Sequence, residues 1–248
     1  MNKTFLFFVL CFFILTKIAF SSLIEVDISE DIKSEVIHES ITTSFNVVNF
    51  SIEFYNTGSV PYDARARIFV YKEGKLIFSG WSQKEDMMPG EKKTFDVYWY
   101  ASSPGNYESK LRVYFGNEII EDEKREIQIK DPLEPEDAFI IENFRTYDDH
   151  IVFDIVNKKN VENVIIIPSD YVSGWIFEQK VIESIKKDMI KTISIDYQPT
   201  VWKPTNLKIA VIAEYGRFYS EKIVEMKKEQ GIMNLIYSIL DNLKLLLF

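Results

Sequence analysis

Residues 102–116 read SSPGNYESKLRVYFG, and the fold turns on how they are read. A Pro-Gly turn leads into a tyrosine and then into strict alternation. Tyr107, Ser109, Leu111, Val113 and Phe115 fall on one side, and Glu108, Lys110, Arg112 and Tyr114 on the other. Period-two alternation of this length predicts a half-buried β-strand. Tyr107 stands at the strand entry, where a tyrosine hydroxyl can bond back to the backbone of the connecting corner.

The same grammar extends on both sides of this strand. Val48, Phe50, Ile52 and Phe54 alternate with polar residues, and Asn56-Thr57-Gly58-Ser59 follows as a turn. Ala64, Ala66, Ile68 and Val70 alternate with Arg65, Arg67, Phe69 and Tyr71, and Lys72-Glu73-Gly74-Lys75 turns next. Met88-Pro89-Gly90-Glu91 precedes Phe95, Val97 and Trp99. Seven or so short strands in about 100 residues predict an all-β immunoglobulin-like sandwich.

Residues 138–230 repeat the order of landmarks in residues 30–130. Asn56 matches Asn157, and Ser79-Gly80-Trp81 matches Ser173-Gly174-Trp175. Lys93-Thr94 matches Lys191-Thr192, and Pro104, Asn106 and Gly116 match Pro204, Asn206 and Gly216. Several matches in order predict a divergent tandem repeat. Two prolines and four acids in residues 131–137 predict a linker between the copies. The expected organisation is therefore two sandwiches, at 22–130 and 138–230, joined by 131–137.

The runs NTGSVPYDARARIFVYKEG, MPGEKKTFDVYW and SPGNYESKLRVYFG resemble the cell-adhesion-related domain found in bacteria, CARDB, and other immunoglobulin-like modules of secreted microbial and archaeal proteins. The resemblance spans residues 45–130 and, more faintly, 145–228. It implies a β-sandwich, an extracytoplasmic location and an adhesive or spacer role. The shared motifs are turn chemistry, which specifies a fold more than an activity.

The ends of the chain read as membrane signals. Lys3 precedes the apolar run FLFFVLCFFIL at 5–15, and Ala19 and Ser21 frame a cut after residue 21. Residues 1–21 are expected to be a cleavable signal peptide or a retained N-terminal anchor. In residues 231–248, Ile232, Leu235, Ile236, Ile239, Leu240, Leu243, Leu246 and Leu247 recur at helical spacing. Asn234, Ser238, Asp241 and Asn242 line the opposite face. This predicts an amphipathic helix that lies on a membrane, on a partner, or on its own domain.

Composition narrows the function classes. The chain is 46% hydrophobic, ample for a packed core, and carries a net charge of −9, which argues against nucleic-acid binding. Its one cysteine, Cys11, lies in the N-terminal apolar run, and only two histidines exist, His38 and His150. Disulfides and a His-rich zinc site are therefore not expected. There is no nucleophile elbow and no phosphate loop, so no catalytic residue and no cofactor are expected.

Binding candidates remain. Arg65, Arg67, Phe69, Tyr71, Lys110, Arg112 and Tyr114 should share an outward face, because the third and sixth strands of such a sandwich are neighbours. Arg and aromatics are enriched where surfaces bind, and an envelope protein or a glycan is the expected partner, with a membrane surface nearby. The alternative for this face is pairing with Glu126 and cover by the second copy. Trp81 and Trp175 are read as packing residues at equivalent places. Asn49-Phe50-Ser51 is a glycosylation sequon. Asp131, Glu134, Glu136 and Asp137 could meet Asp148 and Asp149 as oxygen ligands for calcium, against the simpler reading of a solvated linker and a polar hairpin turn. The expected function is non-enzymatic adhesion, spacing or assembly in the cell envelope. The rival is an accessory subunit docking on a membrane complex through its C-terminal helix.

Overall fold

The computed structural model describes residues 31–226 apart from 123, 131 and 201–203. The expected signal or anchor (1–21) and the expected helix (231–248) lie outside the described residues. Among the described residues the protein is all-β, with one short 3-10 turn at Glu214–Gly216.

The first half contains β1 (Ser34–Ser44), β2 (Val47–Asn56), β3 (Tyr62–Lys72), β4 (Lys75–Trp81), β5 (Glu85–Met87), β6 (Lys92–Tyr100), β7 (Gly105–Phe115), β8 (Glu118–Glu121) and β9 (Arg125–Ile129). One antiparallel sheet has the order β1-β2-β6. The other has the order β4-β3-β7, with β5 on β3 and both β8 and β9 on β7. In β7 the alternation holds along its length: Tyr107, Ser109, Leu111, Val113 and Phe115 are buried, and the intervening residues are half-exposed. Phe50, Ile52 and Phe54 of β2 and Phe95, Val97 and Trp99 of β6 meet that buried face from the opposite sheet. The Phe54 ring lies 5.8 Å from that of Phe95 and 5.4 Å from that of Phe115. The Tyr107 hydroxyl donates to the Ser103 carbonyl at 2.7 Å, closing the corner as expected.

The second half contains β10 (Phe139–Thr146), β11 (His150–Asn157), β12 (Val161–Ser169), β13 (Trp175–Phe177), β14 (Lys180–Ile185), β15 (Ile190–Pro199), β16 (Thr205–Ala213) and β17 (Phe218–Met226). Its sheets have the orders β10-β11-β15-β13 and β14-β12-β16-β17. Strand for strand, β10-β11-β15 repeats β1-β2-β6, and β14-β12-β16 repeats β4-β3-β7.

The shared strand order extends to single hydrogen bonds. Asn56 and Asn157 are both fully buried at the end of the second strand of their half. The Asn56 amide nitrogen donates to Glu91 O, and Asn56 O accepts from Gly90 N. The Asn157 amide nitrogen donates to Met189 O, and Asn157 O accepts from Asp188 N. Gly90 and Asp188 both adopt positive φ, 77° and 60°. Glycine does this without steric cost, and Asp tolerates it.

One matched landmark does not survive folding. Trp81 ends β4 and pairs with Arg67, whereas Trp175 opens β13 and pairs with Pro199 in the other sheet of its half. A three-residue Ser-Gly-Trp string acts locally and cannot specify which strand it joins.

Hydrogen-bonded ladders stay within each half, but packing does not. In β12 and β16, Val164, Ile166, Leu207, Ile209 and Val211 face the second core. Ile165, Ile167, Ala210 and Ile212 face the first. A sheet covered on both sides needs no polar face, which is why VIIIP (164–168) and IAVIA (209–213) run apolar without alternation.

Candidate functional site

The expected face is assembled. β3 and β7 are paired, with Arg65 opposite Tyr114, Arg67 opposite Arg112 and Phe69 opposite Lys110. Trp81, from neighbouring β4, completes it. The Arg67 guanidinium lies 4.6 Å from both the Phe69 and the Trp81 ring centroids, and its Nε donates to Ser79 Oγ at 2.8 Å. Arg112 lies 5.2 Å from the Phe69 ring, and Arg65 lies 5.8 Å from that of Trp81. Trp81 and Tyr114 rings are 5.0 Å apart. Lys124 lies 5.6 Å from the Tyr71 ring. From Arg112 through Phe69, Arg67 and Trp81 to Arg65, cations and rings alternate as a ladder, each cation attracted to the negative ring faces, with Lys124 on Tyr71 as a separate pair.

The ladder is closed at both ends. Lys110 and Arg112 both pair with Glu121 of β8, and these cations hold its carboxyl below the usual carboxylate range. The expected partner Glu126 instead stands opposite Glu108. At the other end Arg65 Nη2 donates to Gln198 Oε1 at 3.4 Å, and the Tyr171 hydroxyl donates to Ser79 O at 3.3 Å. Burial lowers the Arg65 pKa, against the pull of Glu178 and Asp63, and burial raises that of Glu178. Much of this face therefore meets the second half.

The residues that lock the halves together carry no sequence motif. Gln179, between β13 and β14, is 4% exposed. Its Oε1 accepts from Tyr98 N at 2.6 Å and its Nε2 donates to Tyr98 O at 2.8 Å. Gly80 makes room for it, since a Cβ there would lie 2.8 Å from Gln179 Nε2 and 2.6 Å from Phe78 Cζ. Next door, Glu178 Oε1 accepts from Lys84 N at 3.2 Å. At the opposite end Asn46 Oδ1 accepts from Leu133 N at 2.5 Å, and Asn46 Nδ2 donates to Leu133 O and to Tyr100 Oη, each at 3.1 Å. Tyr100 stacks on Tyr219 at 4.4 Å.

The acidic linker is pinned. Glu136 pairs with Lys159 and Arg217, and Asp137 with Lys158. These cations keep both carboxyls below their ordinary range. Asp131 lies outside the described residues, Glu134 is exposed, and Asp148-Asp149 sits in the β10–β11 turn. Asp149 holds the His150 Nδ1 at 2.6 Å, and His150 stacks on Tyr147 at 4.5 Å. Among the described residues no three His, Cys, Asp or Glu side chains are grouped so as to hold a metal ion. Of the expected calcium set, Glu136, Asp137 and Asp149 are each engaged by a neighbouring side chain. Asn49 of the sequon sits mid-strand between Thr42 and Tyr98, its Nδ2 3.4 Å from Asp96 Oδ1.

One buried carboxyl was not foreseen. Glu39 of β1 has a side chain 3% exposed and lies 2.8 Å from Arg125, which also pairs with Asp122 at 3.0 Å. Burial first, then a hydrogen bond with Asp122, push the Glu39 carboxyl up to about 7, against the pull of Arg125.

No family model matches the chain, and no curated protein matches it. Among solved structures it is similar to red sea bream transglutaminase, at 9% identity and TM-score 0.27, covering 77% of this chain and 31% of that one. It is also similar to an exo-chitosanase of Amycolatopsis orientalis, at 12% identity and TM-score 0.27, covering 75% of this chain and 26% of that one. The chain thus spans under a third of the length of either, and at these scores the likenesses carry no argument about activity.

Proposed function

We propose that the chain is an exported, non-enzymatic cell-envelope protein of two CARDB-like immunoglobulin-like sandwiches. It acts in adhesion, spacing or surface assembly, with a signal or anchor at 1–21 and an amphipathic helix at 231–248. The observation that supports this reading is the locked junction. The two halves are fastened at one end by Gln179 on Tyr98 and at the other by Tyr100 stacked on Tyr219, with Asn46 holding Leu133 of the connecting segment against the first half. Rigid spacing between two binding modules is what such fastening provides, because a stiff connection preserves the span between contacts.

The test is fractionation of the native cell followed by intact mass of the chain. The expected result is recovery in the envelope or extracellular fraction, either lacking residues 1–21 or retained in the membrane. Recovery in the cytosol would overturn the reading. Liposome flotation with and without residues 231–248 separates anchoring on lipid from docking on a partner: flotation that survives the deletion counts against the helix as anchor.

A further inference from the structure

We propose that the free edge of β6 is a docking site for an extended peptide strand carrying a basic residue opposite Asp96. In an antiparallel pair, successive residues send their N–H and C=O groups alternately toward the partner and away from it. Tyr98 sends both groups away from β2, since both meet Gln179. Asp96 and Thr94, two and four residues back on the same strand, therefore point their main-chain groups the same way. Among the described residues β6 pairs only with β2, and none hydrogen-bonds the main chain of Thr94 or Asp96 on that side.

Gln179 shows how the edge is used. Its carboxamide accepts from and donates to a single residue, which is the two-bond ring of an antiparallel pair. The side chain occupies one rung of a ladder whose next two rungs are open. Alongside those rungs runs a cleft of about 370 Å³ lined by Ser82, Gln83, Glu85, Thr94, Asp96 and Val181. That volume lies within the range of ligand clefts, about 300–1,000 Å³. An added strand draws affinity from main-chain bonds and specificity from alternate side chains.

The walls state the partner's chemistry. Glu85 is neutralised by Lys93 at 2.9 Å. Asp96 is exposed, and its carboxylate accepts from the neutral amide of Asn49 at 3.4 Å. An opposite charge directly across the pair would complement it. Val181, 51% exposed on the far wall, offers an apolar contact to the neighbouring position. The edge thus fits a strand alternating basic and apolar residues, with Gln179 as the stop that sets its register. The inference rests on the assembly reading for its setting. Its test is made in solution, so it stands or falls without reference to where the chain resides.

The experiment uses the full chain and two acetylated, amidated heptapeptides, one alternating Val and Lys and one alternating Val and Glu. Amide exchange is followed by NMR and affinity by titration. The expected result is that the Val/Lys peptide slows exchange at Thr94 and Asp96, which exchange fast in the free protein while Tyr98 is protected. Asp96→Pro removes the outward N–H, which an edge strand tolerates, together with the carboxylate, and should weaken binding at least about tenfold. Asp96→Lys leaves the main chain intact and should transfer preference to the Val/Glu peptide, which keeps the test decisive if the proline variant does not fold. Binding that leaves both amides unprotected, equal affinity in a folded Asp96→Pro, or no saturable binding of the Val/Lys peptide would each overturn the proposal. Concentration-dependent protection of the same amides in a dimer without peptide would overturn the foreign strand in favour of a second copy.

Discussion

The carboxamide of Gln179 closes a two-bond ring with the main chain of Tyr98, so that a side chain from the second half stands in for a strand beside the first. This is a buried polar contact with both partners satisfied. Removing one side leaves the other without water or partner, which costs more than the bond itself contributed.

Gln179→Ala should therefore destabilise the protein by about 1–3 kcal/mol, the cost of orphaning the Tyr98 groups. Urea unfolding monitored by tryptophan fluorescence measures it. A change within error would show that water replaces the amide and that the junction does not depend on it.

Asn56 and Asn157 anchor equivalent turns. Asn56 Nδ2 donates to Val60 O at 3.0 Å and Met87 O at 3.2 Å, and Asn157 Nδ2 donates to Ile185 O at 2.8 Å. Each Asn→Ala change should cost about 2–3 kcal/mol, and the double variant should show the sum, because the sites share no partner. Strong non-additivity would mean that the two turns are coupled through the junction.

Glu39 makes stability depend on pH in an unusual direction. Its folded pKa, about 7, lies above the ordinary 4.5. The folded state holds this proton more tightly, so the contribution is fully present below 4.5 and is lost as pH rises through 7. Glu39→Gln should be the more stable chain at pH 8 by on the order of 2 kcal/mol, with the gap closing toward pH 4. Parallel melting curves for the two proteins across this range would contradict the assignment.

Arg67 sits between two rings and binds Ser79. Arg67→Ala should lower stability by about 1–2 kcal/mol through lost cation–π contact and packing. Arg67→Lys should recover only part of this, because an ammonium cannot stack on rings as a planar guanidinium does. Full recovery by lysine would reduce the ladder to a matter of charge.

Residues 102–116 show how much of this fold was legible. Alternation of apolar and polar residues is a local consequence of the two-residue pleat, so β7 and its buried face could be read directly, as could β2, β3 and β6. Tyr107 was legible for the same reason: its hydroxyl reaches only four residues back, to Ser103. The outward face of β3 and β7 followed once the strands were placed, but its closing partner Glu121 did not, because which of β8 and β9 lies beside Arg112 depends on register.

By itself the sequence determined an all-β chain, since alternation and turn residues act within a few positions of each other. Only the tertiary structure decided that the two halves would share a buried surface. Ile165, Ile167 and Ala210 turn toward the first half, and Gln179 binds across the join. Those contacts connect residues far apart in the chain. Their energy comes from desolvation and shape at a surface that does not exist until the sheets of both halves have formed.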